Sequence, residues 1–595
     1  MGRGVVAEQA AGRSAAEYGS DVVVEMLQAL GIPFVALNPG ATFRGLHDSF
    51  VNFAGDRGPE MILCCHEEIT VAVAHGYAKA TGRPMAAAVH NLVGLQHASM
   101  AIYNAWCDRT PVVVLGGTGP MDETLRRPWI DWVHTALVQG QQVRDYVKWD
   151  DQPASVAAIP ESFLRAYRIA MTEPRGPVYI CYDVMVQEER IEKPLALPAV
   201  GRYAPPAAPA PDPELLDRLA SMLVDAERPM ILADDVGRNP AAVASLAELA
   251  ELLALPVLDQ PGRVNMPTRH PQNLTGAGRE LLPEADVVLG LDVQDMYGGL
   301  AAGVRERGAP PTVPEDAQIA TISMNEYLQR SWAADYHRLV PVDLALGGDT
   351  AAALPALVAA CRAKMAGKAA VGARVAERAR RLAALRKTLH DRWSRDLNAI
   401  VPDGAMAYPQ LVSEVWKAVQ GRDWVVVNDH YASPWVRRLW DIREPRQYVG
   451  SCRGAGLGYG IGSAVGAALA HRGTGRLCVN MQTDGDFLYC PSALWTASHH
   501  RIPLLTIVCN NRSYGNDEDH QERVAKDRGR PVENKVVGIH INDPAVDFAT
   551  LARSFDVHAA GPVSNADQLP KVLAEAVDYL QTQRRPALVE VLVRF

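Results

Sequence analysis

The chain has no Cys-x-x-Cys pair, no lysine/arginine tract and no run of eighteen apolar residues. Each absence removes a class of function. The nine cysteines are scattered, with only Cys64 and Cys65 adjacent, which suits reduced thiols in a cytoplasmic enzyme rather than a disulfide framework. A net charge of -9 argues against electrostatic binding to nucleic acid. Without a long apolar run no membrane-spanning helix is expected, and "MGRGVVAEQAAGRSAAEYGS" lacks the apolar stretch of a signal peptide. The glycines of "GAGLGYGIGSAVGAALA" (454–470) never fall at G-x-G-x-x-G spacing, and no G-x-x-x-x-G-K-[ST] occurs. A nicotinamide oxidoreductase is thereby disfavoured.

What is present is alternation. Short apolar runs interleave with helical patterns, the signature of parallel sheets with helices on both faces. At 595 residues and 48% apolar content, several cores can form. We expect an α/β protein of three doubly wound parallel-sheet domains, at 15–190, 214–365 and 402–595. A Pro/Ala-rich linker (191–213) and a solvated connecting helix (366–401) should join them. In the third block "GRLCVNMQTDG" and "LLTIVCNN" read as strands flanking a helix in "PSALWTASHH", with Pro491 in its first turn. Asp484, Asp486, Asn510 and Asn511 then emerge at the carboxyl edge of a sheet, where ligands of open parallel sheets sit. Carboxylate, amide and loop carbonyl make an oxygen set suited to Mg²⁺. Asp and Asn also form ordinary turns there, and the residues alone leave both readings open.

The stretch resembles the thiamine-diphosphate signature, G-D-G followed by N-N. Asn511 lies 27 positions after Asp484, the family's interval, which selects Asp484 over Asp486. The resemblance implies Mg²⁺ held by Asp484, Asn511 and the carbonyl of Ser513. It places the cofactor against Gly456, Leu457, Gly485, Asp486, Asn511 and Tyr514. In the first block "CCHEEITVAVAHGYAKATGRP" is similar to the family phrase containing the catalytic glutamate, which implies Glu67. By itself a glutamate at a helix start serves as a cap. Burial is expected to raise the pKa of Glu67 so that it can donate to the pyrimidine ring. The family's sites usually join two chains, implying a homodimer or homotetramer with Glu67 of one chain facing Asp484 of another.

Several stretches, among them "NAWCDRTPVVV", "PRGPVYICYD" and "SALWTA", resemble the benzoylformate decarboxylase branch. His90 follows Glu67 by 23 positions, where that branch has an active-site histidine, which implies an acid–base role; the alternative is a satisfied core histidine at a strand end. Departures are Thr483 for glycine, Asp486 for a small residue, Ala41 for serine in "NPGATF", His97 for asparagine, and a charged insertion at 516–535 forming an ordered loop, a lid or a solvated face. The implied activity is a thiamine-diphosphate- and Mg²⁺-dependent lyase or carboligase acting on a small 2-oxo acid. Alternatives are an acetolactate-synthase-like transferase, a 2-hydroxyacyl-CoA lyase, or a non-catalytic cofactor-binding module. No FAD motif is evident.

Overall fold

A computed structural model describes residues 14–302, 310–328, 330–334, 336, 338–399, 406–429 and 433–594. The N-terminal segment before residue 14 and the join at 400–405, both used in the sequence reading, lie outside these residues. The chain divides into two compact units: 1–206 with 403–431 and 454–595, and 207–402 with 432–453.

The first unit holds two sheets. One comprises β1 (Phe34–Leu37), β2 (Glu60–Leu63), β3 (Met85–Val89), β4 (Val112–Thr118), β5 (Asp150–Asp151) and β6 (Val178–Asp183), in the order β2-β1-β3-β4-β6-β5. The second unit's sheet comprises β7 (Pro229–Ala233), β8 (Val257–Asp259), β9 (Val287–Leu291), β10 (Gln318–Ser323) and β11 (Leu344–Gly347), ordered β11-β10-β9-β7-β8. The first unit's other sheet comprises β12 (Met406–Ala407), β13 (Trp424–Asp429), β14 (Leu477–Thr483), β15 (Leu505–Asn510), β16 (His558–Val563) and β17 (Ala587–Arg594). Its order is β12-β17-β15-β14-β13, with β16 also on β17. Every pairing is parallel. Thus the expected three parallel sheets with helices are observed. Their inner strands are Val/Leu/Ala-rich and buried along their whole length, as in β3, β4 and β9, because helices cover both faces.

Two helices of the first unit position the site. Helix Glu67–Thr81 follows β2, and helix Tyr459–Ala470 precedes β14. They meet backbone to backbone: a Cβ on Gly76 would lie 2.0 Å from the Ser463 carbonyl oxygen, and one on Gly466 1.9 Å from that of Val73. Only glycine permits this approach. It explains the small-residue run 454–470, which sequence pattern marked without saying what lay against it.

In the second unit the connecting helix spans Ala369–Leu397. Its solvated character has exceptions, since Val371, Leu382 and Leu389 are buried. Arg378 is buried, donating to the carbonyls of Leu253, Ala254 and Glu227. Segment 433–453 also belongs to this unit, anchored by Arg453 on Asp234 and Asp235 and by Arg437 on the carbonyls of Gln260 and Arg263.

Candidate active site

In the first sheet the strand order reverses between β1 and β3, a crevice where open α/β sheets take ligands. Asn38 follows β1, His66 and Glu67 follow β2, and His90 follows β3. His66 caps helix Glu67–Thr81, its Nδ1 accepting from the Glu68 N–H at 3.1 Å. The Glu67 carboxylate is buried, with Oε2 3.1 Å from Nδ1 of the half-exposed His97. Burial would raise the Glu67 pKa, but hydrogen bonds from Asn38 and His97 outweigh it and hold the group below its ordinary value. The expected upward shift of Glu67 is therefore corrected: two donors replace the water that burial removes. The raised carboxyl is its neighbour. Burial pushes Glu68 up to about 8, its Oε2 accepts from the Ala101 N–H, and its Oε1 has no partner. His90 contacts Thr42 Oγ1 at 3.0 Å, and burial, aided by His134, lowers its pKa. Its imidazole is accordingly neutral near pH 7. The negative charge of Glu67 acts on this ring, so the two residues share one crevice.

The other half lies at the carboxyl ends of β14 and β15. Asp484 is fully buried; its Oδ2 accepts from the Arg512 N–H at 2.7 Å, and its Oδ1 has no hydrogen-bond partner. Burial raises it to about 6 despite N–H bonds from Gly485 and Arg512. The two asparagines divide their work. Asn510 donates to the buried Glu590 at 2.7 Å and accepts from Arg512, so it holds the turn. Asn511 Oδ1 accepts from the Ser513 N–H, and Ser513 Oγ donates to Glu518. The structure also accounts for Asp486. Its Oδ1 accepts from the Gly458 N–H at 2.7 Å and its Oδ2 from Gln482 at 2.8 Å. Gly458 has φ +91°, and the carboxylate pins that turn at the start of helix Tyr459–Ala470. A short helix, Asp484–Phe487, occupies the signature turn, and the next one begins at Ala493, leaving Pro491 just outside it.

A cavity of about 450 Å³ opens here, lined by Leu457, Gly485, Asp486, Asn511, Ser513 and Tyr514 among others. The bare oxygen of Asp484 beside Asn511 fits a hard cation, and the cavity size suits a cofactor. Gly456 stands beside it, its N–H 3.4 Å from Asn104 Oδ1. The two halves meet within this one chain, because Asp486 lies close enough for its charge to act on Glu68. The 516–535 insertion forms helix Gly515–Asp527, without buried residues, and a turn at Val532–Val536. Lys535 joins them through Glu518 and Glu522, at the cavity's border. Sequence reading missed Asn38, Asn104, Gln482 and Glu590. Gln482 and Glu590 had a signal, being polar residues inside predominantly apolar strands, where burial demands partners.

Three family models match: "Thiamine pyrophosphate enzyme, N-terminal TPP binding domain" over residues 17–142, its central domain over 216–357, and its C-terminal TPP binding domain over 431–591. Benzoylformate decarboxylase of Pseudomonas aeruginosa is 28% identical, covering 95% of this chain and 97% of that protein. Acetolactate synthase of Bacillus subtilis is 24% identical over 97% of this chain and 93% of its own length. The crystal structure of benzoylformate decarboxylase from Polynucleobacter necessarius superimposes with a TM-score of 0.75 at 19% identity. It covers 97% of this chain and 99% of that one.

Proposed function

We propose, from the premise that this chain belongs to the thiamine pyrophosphate-dependent enzyme family, that it cleaves or forms a C–C bond next to the carbonyl of a small 2-oxo acid. The observation that carries the reading is that buried Glu67 and the bare carboxylate oxygen of Asp484 belong to one compact unit, whose half-sites approach each other at Glu68 and Asp486. When bound, thiamine diphosphate supplies a nucleophilic carbon and an electron sink for the carbanion left by cleavage. Asp484, Asn511 and the Ser513 carbonyl would hold Mg²⁺ against the diphosphate. Glu67 would orient the pyrimidine ring and exchange a proton with its nitrogen, fixed in place by Asn38 and His97. His90, neutral at pH 7, is placed to accept or return a proton near the substrate.

Between decarboxylation and carboligation, Ala41 matters. It stands where the benzoylformate branch has a serine, so a donor to the substrate carboxylate is missing and acetolactate-synthase-like carboligation is a second reading. We also read the enzyme as a cytoplasmic homodimer or homotetramer. Its nine free thiols, seven of them buried, suit a reducing compartment. Among the described residues, no helix is long and apolar enough to cross a membrane.

The test is thermal unfolding with thiamine diphosphate and Mg²⁺, followed by a 2-oxo-acid panel with and without aldehyde acceptors, scored for CO₂ and coupled products. A cofactor held at 100 times its Kd stabilises by about 2.7 kcal/mol. Asp484→Ala should abolish the shift in melting temperature; an unchanged melting temperature in the wild type defeats the reading.

A further inference from the structure

The mouth of the first half-site carries two imidazoles beside a carboxylate. The ligand-capable atoms of His66, Glu67 and His97 all lie within 4.8 Å of one another. We propose that these three side chains form a site for a borderline transition cation such as Zn²⁺, which takes the Glu67 carboxylate away from the cofactor.

The geometry requires only side-chain movement. A tetrahedral Zn²⁺ with bonds of about 2.0–2.1 Å sets its ligand atoms about 3.3 Å apart. The Glu67–His97 edge is already 3.1 Å. The His66 and His97 rings stack with centroids 4.8 Å apart, which keeps the two imidazoles side by side. The His97 side chain is 55% exposed and can swing to close the remaining edge. A ring nitrogen that takes the metal leaves the other one protonated, so His66 would exchange its cap on the Glu68 N–H for a coordination bond. Nitrogen donors select Zn²⁺, Co²⁺ or Ni²⁺ over Mg²⁺, which prefers oxygen. This site is therefore chemically distinct from that of Asp484 and Asn511. Three protein ligands leave one position open, the arrangement that accepts water or an added anion.

Exclusion of the cofactor rests on the function proposed above; the metal site does not. The experiment uses the full chain after chelator treatment, titrated with Co²⁺ in the absence of thiamine diphosphate. Four-coordinate Co²⁺ on N/O ligands should give a visible absorption band at one equivalent. His97→Ala and Glu67→Gln should each remove it, with circular dichroism checking that both variants are folded. No band in the wild type, or the same band in His97→Ala, overturns the site. In the second arm, thiamine diphosphate is titrated with Mg²⁺ present, with and without one equivalent of Zn²⁺. Zn²⁺ should raise the apparent Kd at least tenfold in the wild type and leave it unchanged in His97→Asn. Equal Kd values with and without Zn²⁺ overturn the exclusion. Failure of thiamine diphosphate to bind even without Zn²⁺ would refute the proposed function while the Co²⁺ band upheld the metal site.

Discussion

Adjacent glutamates with opposite shifts show how far one residue's environment can differ from the next. Glu67 meets two donors and stays ionised, whereas Glu68 keeps one oxygen without a partner and faces Asp486. The consequence for stability follows from the sign. A free glutamate titrates near 4.3, and folded Glu68 holds its proton up to about 8. Between those values the folded state binds the extra proton, so this group's contribution to stability is complete below about pH 4 and is lost as pH rises to about 8. Glu68→Gln should flatten the decline of melting temperature between pH 5 and 8; an unchanged slope rejects the assignment. Glu67→Gln tests the neighbour's role. It should bind thiamine diphosphate but lose turnover, since an amide can hydrogen-bond the ring without exchanging a proton. Full activity in that variant would exclude Glu67 as the acid–base group.

At the scale of elements, the pairing of helices Glu67–Thr81 and Tyr459–Ala470 carries the geometry of both half-sites. Gly466→Val would drive a side chain into the Val73 carbonyl, a backbone atom that cannot rotate away. We expect a loss of about 3 kcal/mol or more, read as a lower melting temperature together with weaker cofactor binding. Gly372, inside helix Ala369–Leu397, is the opposite case, with open space where its Cβ would be. Gly372→Ala should raise stability by about 0.5–1 kcal/mol and leave cofactor binding alone. If both substitutions lowered the melting temperature equally, close approach would not be the reason for Gly466. The strands could be read from the sequence because burial on both faces makes them uninterrupted apolar runs, as in "PVVVLGG" and "LLTIVCNN". The packing partners could not. Periodicity reports which face of an element is buried, not which distant element covers it. Segment 433–453 illustrates this, lying in the third sequence block yet packing through Arg437 and Arg453 on the second sheet.

For the whole molecule the same limit decides how the active site is completed. The spacing of Asp484 and Asn511 and the Glu67 phrase were visible as residues. Their meeting was not, since it depends on two sheets joined only through the entire second unit. In this chain the halves meet through a helix pair that approaches backbone to backbone at glycines, flanked by the Leu63 N–H on His500, Thr496 Oγ1 on the Leu63 carbonyl and the Arg472–Glu60 ion pair. A homo-oligomer with shared sites would exchange this helix pair between two chains. Shared sites make a definite prediction. Glu67→Gln and Asp484→Ala chains, each inactive alone, are mixed after dissociation and allowed to reassemble. In a mixed dimer one site then receives both substitutions and the other neither. Random pairing should restore about a quarter of wild-type activity, rising and falling with the mixing ratio and absent when the chains are kept apart. If each chain completed its own site, every site in the mixture would carry one substitution, and activity would stay at the level of the single variants.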